Sequence, residues 1–384
     1  MSDNEMVLIS KPYFDSEDVD AVKNAMLSTF ASGDGPECRK FEDELAEYVG
    51  VKYAFFLNSA TAGLDLAFRI KNFPPGSEVL VPDFTFTSTA LGPMLNNLKV
   101  VLVDTDPENG NIDVEKIEAK ITDKTVAIVP VDYAGIPADM DRINEISKKH
   151  NLYVVHDSAQ SIGAEYNGKK TGSLADISVF SFHGTKNLVV GEGGAITTND
   201  DDLAKKIIIV REKGTDKHNY LTNNITKGYY EYTAIGNSYV QSNILGALAR
   251  SQLKKIDWIN SRRESIAQKY LEAFSKFNIR FSKITPKSKS NWHLFNILIP
   301  FELKEKFILL TKEKGVITNI HYHPLHVNAL YKKECNFNEN EFPGAMTFYD
   351  ELVRIPLYPA LTDNEVEKVI KAVSETLIEL GLSR

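Results

Sequence analysis

Seven short apolar runs recur between residues 53 and 198: Tyr53–Leu57, Glu78–Pro82, Lys99–Asp104, Thr125–Val131, Tyr153–Asp157, Ile177–Phe182 and Gly194–Thr198. Most are separated by stretches of helical spacing, such as Thr61–Lys71, Val114–Lys120 and Met140–His150. Runs that are apolar on both faces and alternate with helices predict an α/β fold, a seven-stranded, mostly parallel sheet covered on both sides. Ligands of such sheets bind at the carboxyl ends of the strands. Ahead of the first run, Asp15–Ser28 has helical spacing with Asp15 or Ser16 as N-cap, and Cys38–Val49 predicts a second amphipathic helix. Beyond Asp202 the pattern is helical, crosses an Asn-, Thr- and Tyr-rich stretch (Gly214–Tyr232) that predicts an exposed loop, and turns helical again over Ser242–Phe274. The last third changes character. His293–Pro300, Gly315–Tyr322 and Arg354–Tyr358 predict strands and Asp363–Leu380 a closing helix, which together make a smaller α+β unit.

Length supports that division. A single core rarely grows beyond about 250–300 residues, so the 384-residue chain is expected to split into a large domain, 1–250, with an N-terminal arm, and a small one, 251–384. The net charge of −8 argues against a general nucleic-acid binder. The two cysteines, Cys38 and Cys335, lie far apart with no metal-ligand spacing, which predicts a reducing compartment and no metal site. The start of the chain lacks a basic region followed by an apolar core, and no apolar run reaches the ~20 residues of a membrane span. A soluble, cytoplasmic protein with no membrane partner is expected.

Candidate chemistry collects where the runs end. Tyr53–Leu57 leads into Asn58-Ser59-Ala60-Thr61, small residues opening a helix, where free backbone N–H groups suit a phosphate. The same residues also suit an ordinary helix cap. Glu78–Pro82 leads into Asp83-Phe84-Thr85-Phe86, an aromatic able to stack on a planar ring or to fill core. Tyr153–Asp157 ends on a carboxylate, which at the tip of a buried strand needs a partner or a role. Ile177–Phe182 leads into His183, Thr185 and Lys186. A lysine held at a site edge, its pKa lowered by its surroundings, is what Schiff-base chemistry requires. A lysine, an acid, a ring face and a phosphate cradle on one rim are the parts that pyridoxal phosphate needs.

The motifs FLNSATAGLDLAF, VPDFTFTSTA, VVHDSAQSIGA and SFHGTKNLVVGEGGA resemble those of the DegT/StrS sugar-nucleotide aminotransferases, over nearly the whole chain. The resemblance implies fold type I, the aspartate aminotransferase-like fold, with pyridoxal 5'-phosphate as cofactor and a homodimer sharing its active sites. It implies that Lys186 carries the cofactor and shuttles protons, that Asp157 pairs with the pyridine nitrogen, that Gln160 approaches the ring hydroxyl and that Phe86 stacks on the ring. Ser59, Ala60 and Ser181 would hold the phosphate. Many relatives have Gly-x-Asn-x-Arg near residue 240, the Asn reaching the phosphate bound by the neighbouring subunit. Here Ser238 stands at the Asn position and Val240 at the Arg position, so that contact falls to Ser238, or to Asn237 after a small shift. The same replacement, with Arg211–Thr215 and the HYHPLH segment His321–His326, is similar to the branch making dTDP-4-amino-4,6-dideoxygalactose.

The implied reaction moves an amino group from L-glutamate to the 4-keto carbon of a nucleotide-linked 4-keto-6-deoxyhexose, for surface glycan biosynthesis. His321 and His326 would face the sugar or serve as structural histidines. A 3-keto sugar substrate is a close rival. A sugar dehydratase of this group would carry His in place of Lys186. A cofactor-binding regulator would need a DNA-binding appendage, for which the chain has no spare segment. A dinucleotide fingerprint at Gly191–Gly194 is misplaced, because it precedes a strand rather than opening a helix.

Overall fold

A computed structural model describes residues 6–217 and 230–383 of the chain. Part of the stretch Gly214–Tyr232, residues 218–229, therefore lies outside the described residues. All seven expected runs are strands: β1 (Tyr53–Leu57), β2 (Glu78–Pro82), β3 (Lys99–Val103), β4 (Thr125–Ile128) and β5 (Tyr153–Asp157), then, past the short hairpin of β6 (Glu165–Tyr166) and β7 (Lys169–Lys170), β8 (Ile177–Ser181) and β9 (Gly194–Thr198). They form one sheet in the order β1-β9-β8-β5-β4-β2-β3. Pairing is parallel from β3 through β8, and β9 runs antiparallel to both β8 and β1. The β1–β9 pairing joins segments about 140 residues apart, which no local pattern announces.

Helices cover both faces. Asp15 is the N-cap of α1 (Ser16–Leu27), accepting from the Glu17 and Asp18 N–H groups. In α2 (Pro36–Val49), the buried stripe Cys38, Phe41, Leu45 and Val49 packs with Phe56, Phe180 and Phe182 on one side of the sheet. On the other side, α3 (Ala60–Arg69) buries Leu64, Leu66, Ala67 and Phe68. Gly63 allows that close approach, since a Cβ there would lie 2.7 Å from Val179 of β8. The seating of α3 matters for function, because its first turn faces the strand tips. The next helix, α4 (Thr87–Met94), follows the β2 tip.

The C-terminal part has its own three-stranded sheet, ordered β10-β12-β13, from Arg280–Phe281, Phe295–Leu298 and Leu352–Ile355; β11 (Ser288–Lys289) instead joins the β6–β7 hairpin. Its core draws on Ile266, Tyr270, Phe274, Phe295, Phe307, Val353, Val366 and Val373, together with Val7 from the N-terminal arm. Three expectations change here. The strand expected at Arg354–Tyr358 is Leu352–Ile355 and ends before Pro356, which has no N–H for a ladder. Gly315–Tyr322 is not a strand: its backbone pairs only at Val316 with Val7 and at Asn319 with Arg354, because no continuous partner edge runs beside it. The helical stretch Ser242–Phe274 is two helices, Asn243–Lys254 and Ile256–Phe274, broken at Lys255. Among the described residues no helix is long and apolar enough to cross a membrane.

Candidate active site

The tips of β1, β2, β5 and β8 open onto a cavity of about 500 Å³. That is within the usual range for small-molecule sites, roughly 300–1,000 Å³. Its lining includes Ser59, Ala60, Phe86, Asp157, Gln160, Ser181 and Lys186, so seven of the residues expected from the sequence meet in one place.

Lys186 follows β8 in a turn where its own N–H donates to the His183 carbonyl at 2.9 Å. Its ammonium makes no hydrogen bond or ion pair among the described residues. Burial pushes its pKa down from the ordinary 10.5 to about 8; Asp157 opposes the shift and the Arg354 cation adds to it. Asp157, the last residue of β5, is buried. Its Oδ2 accepts from Thr89 Oγ1 at 2.8 Å and its Oδ1 from the Ala159 N–H at 3.2 Å. Burial pushes this carboxyl up, while those two donors and the Lys186 charge pull it back toward the anion. Thr85 Oγ1 lies 2.7 Å from Thr89 Oγ1, which extends the chain of hydroxyls behind the acid.

At the other side Ser59 caps α3, its Oγ accepting from the Ala62 N–H at 3.0 Å. The N–H groups of Ala60 and Thr61 have no hydrogen-bond partner among the described residues and sit at the positive end of the helix. Gly194 leaves this corner open: a Cβ there would lie 2.5 Å from the Ala60 nitrogen. Ser181 Oγ closes the corner and accepts weakly from the His183 N–H at 3.4 Å. Phe86 is half exposed over the mouth, its ring 5.5 Å from that of Tyr322. Gln160 is fixed at both ends of its amide, Oε1 accepting from the Ala134 N–H at 2.8 Å and Nε2 donating to Tyr322 Oη at 3.0 Å.

These residues fit pyridoxal phosphate. A deprotonatable amine without a partner, a buried carboxylate, an aromatic face and an anion corner that a single methyl would fill match the group's four recognisable parts.

The remaining expectations divide. His321 lines the cavity, but its Nδ1 is taken by Arg354 Nη1. His326 is not in the cavity. It is buried, with Nδ1 2.5 Å from Asp83 Oδ2, its N–H donating to Asp83 Oδ1 and its ring stacked on Phe342. Of its two weighed roles, the placement is that of a structural histidine. Ser238 is exposed outside the cavity of its own chain, its carbonyl accepting from Asn58 Nδ2. Four lining or supporting residues were not singled out from the sequence: Thr89, His293, Tyr322 and Arg354. Only Arg354 left a usable signal, a lone charge inside the apolar run Leu352-Val353-Arg354-Ile355.

Comparison with known proteins agrees with this geometry. The profile of the DegT/DnrJ/EryC1/StrS aminotransferase family matches residues 12–374. The spore coat polysaccharide biosynthesis protein SpsC of Bacillus subtilis is 35% identical over 97% of this chain and 97% of its own. GDP-perosamine synthase of Caulobacter vibrioides is 32% identical over 98% of this chain and 100% of its own. Among solved structures, PseC of Helicobacter pylori, an aminotransferase involved in the biosynthesis of pseudoaminic acid, superposes with a TM-score of 0.91 at 31% identity, covering 98% of this chain and 100% of its own.

Proposed function

The chain belongs to the DegT/DnrJ/EryC1/StrS aminotransferase family, and we propose that it transfers the amino group of L-glutamate to the 4-keto carbon of a nucleotide-linked 4-keto-6-deoxyhexose. Its family fixes the coarser statement: it is a pyridoxal phosphate-dependent sugar aminotransferase. The products of the finer reading are 2-oxoglutarate and a 4-amino-4,6-dideoxyhexose nucleotide, a building block for surface glycans. The observation that carries it is the unpaired Lys186 amine in a cavity whose one deeply buried carboxylate is Asp157.

Bound pyridoxal phosphate supplies an electron sink for carbanion character at the reacting carbon. The chain's residues do the rest. Asp157, fed by the Thr89 hydroxyl and the Ala159 N–H, is held as the acceptor for a ring N–H. Ser59, Ala60 and Ser181 form the corner for the phosphate, and Phe86 covers the ring. Lys186 Nζ, with a pKa near 8, takes a proton from the donor α-carbon and delivers one in return, acting as base and then acid. For the sugar the same nitrogen works in reverse order. The dTDP branch is supported by the residues at Ser238 and His321–His326, and the shared-site homodimer by the exposed position of Ser238.

Purified protein should absorb as a lysine-bound pyridoxal, and borohydride should fix the chromophore to a peptide containing Lys186. A panel of 3-keto and 4-keto sugar nucleotides with L-glutamate should give product from 4-keto-6-deoxyhexoses. Normal transamination by Lys186→Ala, or product only from 3-keto sugars, would overturn the corresponding part.

A further inference from the structure

His293 follows a residue held in an unfavourable backbone shape. Trp292 has a φ of 53°, in the left-handed region that a bulky side chain rarely enters. Three groups hold the chain there. Ser290 Oγ accepts from the Trp292 N–H at 3.0 Å, and Asn291 Oδ1 accepts from the His293 N–H at 3.1 Å. The buried Arg263 guanidinium donates to the Trp292, His293 and Leu357 carbonyls at 3.3, 3.1 and 2.9 Å. Strain of this kind persists only where the surroundings over-determine it, and it collects at functional sites. Here its result is to place the buried His293 ring in the wall of the cavity.

Neighbours fix the state of that ring. Its Nδ1 lies 3.0 Å from Asn187 Oδ1. Asn187 Nδ2 donates to the Asn291 carbonyl at 3.0 Å and to Asn260 Oδ1 at 2.8 Å. A backbone carbonyl only accepts, so the Asn187 atom facing the ring is its oxygen, and His293 Nδ1 carries a proton. Burial and then the Lys186 charge, with Arg263, Arg354 and His321 adding to them, push the His293 pKa well below the ordinary 6.5, so the ring is neutral near pH 7. Nε2 is therefore a lone pair. It has no partner among the described residues and is not sealed from the cavity that the ring lines. We propose that His293 Nε2 accepts a hydrogen bond from the sugar hydroxyl next to the keto carbon, which makes His293 a specificity-determining residue for the amino acceptor.

Chemistry selects a hydroxyl. Lys186 and Arg354 bring only hydrogen-bond donors to the cavity, and a lone pair is the complementary function. Carboxylates and diphosphates have no proton to give it near pH 7, and the one N–H donor of glutamate is the group being transferred. A sugar hydroxyl does have a proton to give. Position then selects which one. The carbon that receives the amine must come within reach of Lys186 Nζ, and Lys186 is the cation that acts most strongly on the His293 ring. The hydroxyl on the adjoining carbon is the one brought to Nε2. In a 4-keto-6-deoxyhexose that is the C3 hydroxyl, because C5 carries the ring oxygen and the methyl carbon. A site built to bond a hydroxyl rejects the analogue that lacks it, since its own acceptor is then left unpaired.

The proposal rests on the sugar aminotransferase reading, and its test separates the two. NMR of the imidazole nitrogens in apoprotein, with His293 assigned by its loss in His293→Phe, should show the neutral Nδ1–H tautomer near pH 7. Asn187→Leu should release that ring to a mixture of tautomers. A proton on Nε2 in the wild type would overturn the proposal without any turnover. Holoenzyme is then followed by absorbance in its two half-reactions, with L-glutamate and with a nucleotide-linked 4-keto-6-deoxyhexose or its 3-deoxy analogue. His293→Phe should lower kcat/KM for the sugar by about 10–100-fold, as an unpaired buried hydroxyl does, and lower that for glutamate much less. The 3-deoxy sugar should lose a similar factor with wild type and little more with His293→Phe, because the two changes remove one shared contact. His293→Gln, whose amide oxygen stands in for Nε2, should recover part of the loss. Melting temperature and cofactor absorbance report that each variant is folded. Equal losses in both halves, or additive losses, would overturn the hydroxyl contact. A wild type inert to every keto sugar sinks the parent reading and this one with it; a wild type that takes the 3-deoxy sugar as well as its parent sinks this proposal alone.

Discussion

The cavity offers positive potential at two ends by different means. At the start of α3 the donors are backbone N–H groups of Ala60 and Thr61, with no side-chain charge. At β13 the donor is a full guanidinium, buried and unneutralised. The first end costs the fold little, because a helix carries those orphan N–H groups wherever it starts. The second end is expensive and is tolerated because three separate segments hold it: Asn296, Asn319 with His321, and Arg354 itself. A dipole site can thus be made by one local turn, whereas a buried charge needs a tertiary cage.

The two ends can be broken separately. The largest expected effect is at the charged end. The segment that carries His321 and Tyr322 is tied to the β2 tip by His326 on Asp83. His326→Ala leaves the Asp83 carboxyl buried without that partner, and stability measured by urea unfolding should fall by about 3–5 kcal/mol. At the dipole end, Gly194→Ala drives a methyl against the Ala60 nitrogen and Ser59 backbone. Overpacking of this kind costs about 1–3 kcal/mol, and cofactor titration of the apoprotein should show weakened pyridoxal phosphate binding. Ser59→Ala removes the cap hydroxyl of α3 and should cost about 1 kcal/mol in melting experiments.

The finest comparison uses Lys186, which lies between the ends. Its ammonium cannot attack an aldehyde while it holds its proton, so capture of pyridoxal phosphate by apoprotein should rise with pH through about 8. An ordinary lysine would not level off until near 10.5. Arg354 lowers this value, so Arg354→Gln should move the capture profile to higher pH. An unmoved profile would mean that the two cations do not sense each other.

Much of the sheet was legible because its strands are apolar on both faces and short, a pattern that helices of this fold do not share. The seven runs became seven strands for that reason, whereas Gly315–Tyr322, with similar residues, found no edge to pair along. Asp157 was legible because it ends a strand, and Ser59, Phe86 and Lys186 because each lies in the turn that leaves one. His326 shows the limit: five residues from His321 in a motif that reads as one unit, it turns to Asp83 and leaves the cavity.

Local order alone determined the alternation of strands and helices, and with it the rim on which the lysine, the acid and the helix start must meet. Those features depend on neighbours within a few residues, where spacing and hydrogen-bond geometry act directly. What only the tertiary structure decided is which distant side chains complete the pocket: Thr89 behind Asp157, Tyr322 against Gln160, and Arg354 beside Lys186. Burial and pairing set the environment of each, and both are properties of surroundings assembled from segments distant in sequence, Thr89 lying 68 residues from Asp157 and Tyr322 162 residues from Gln160.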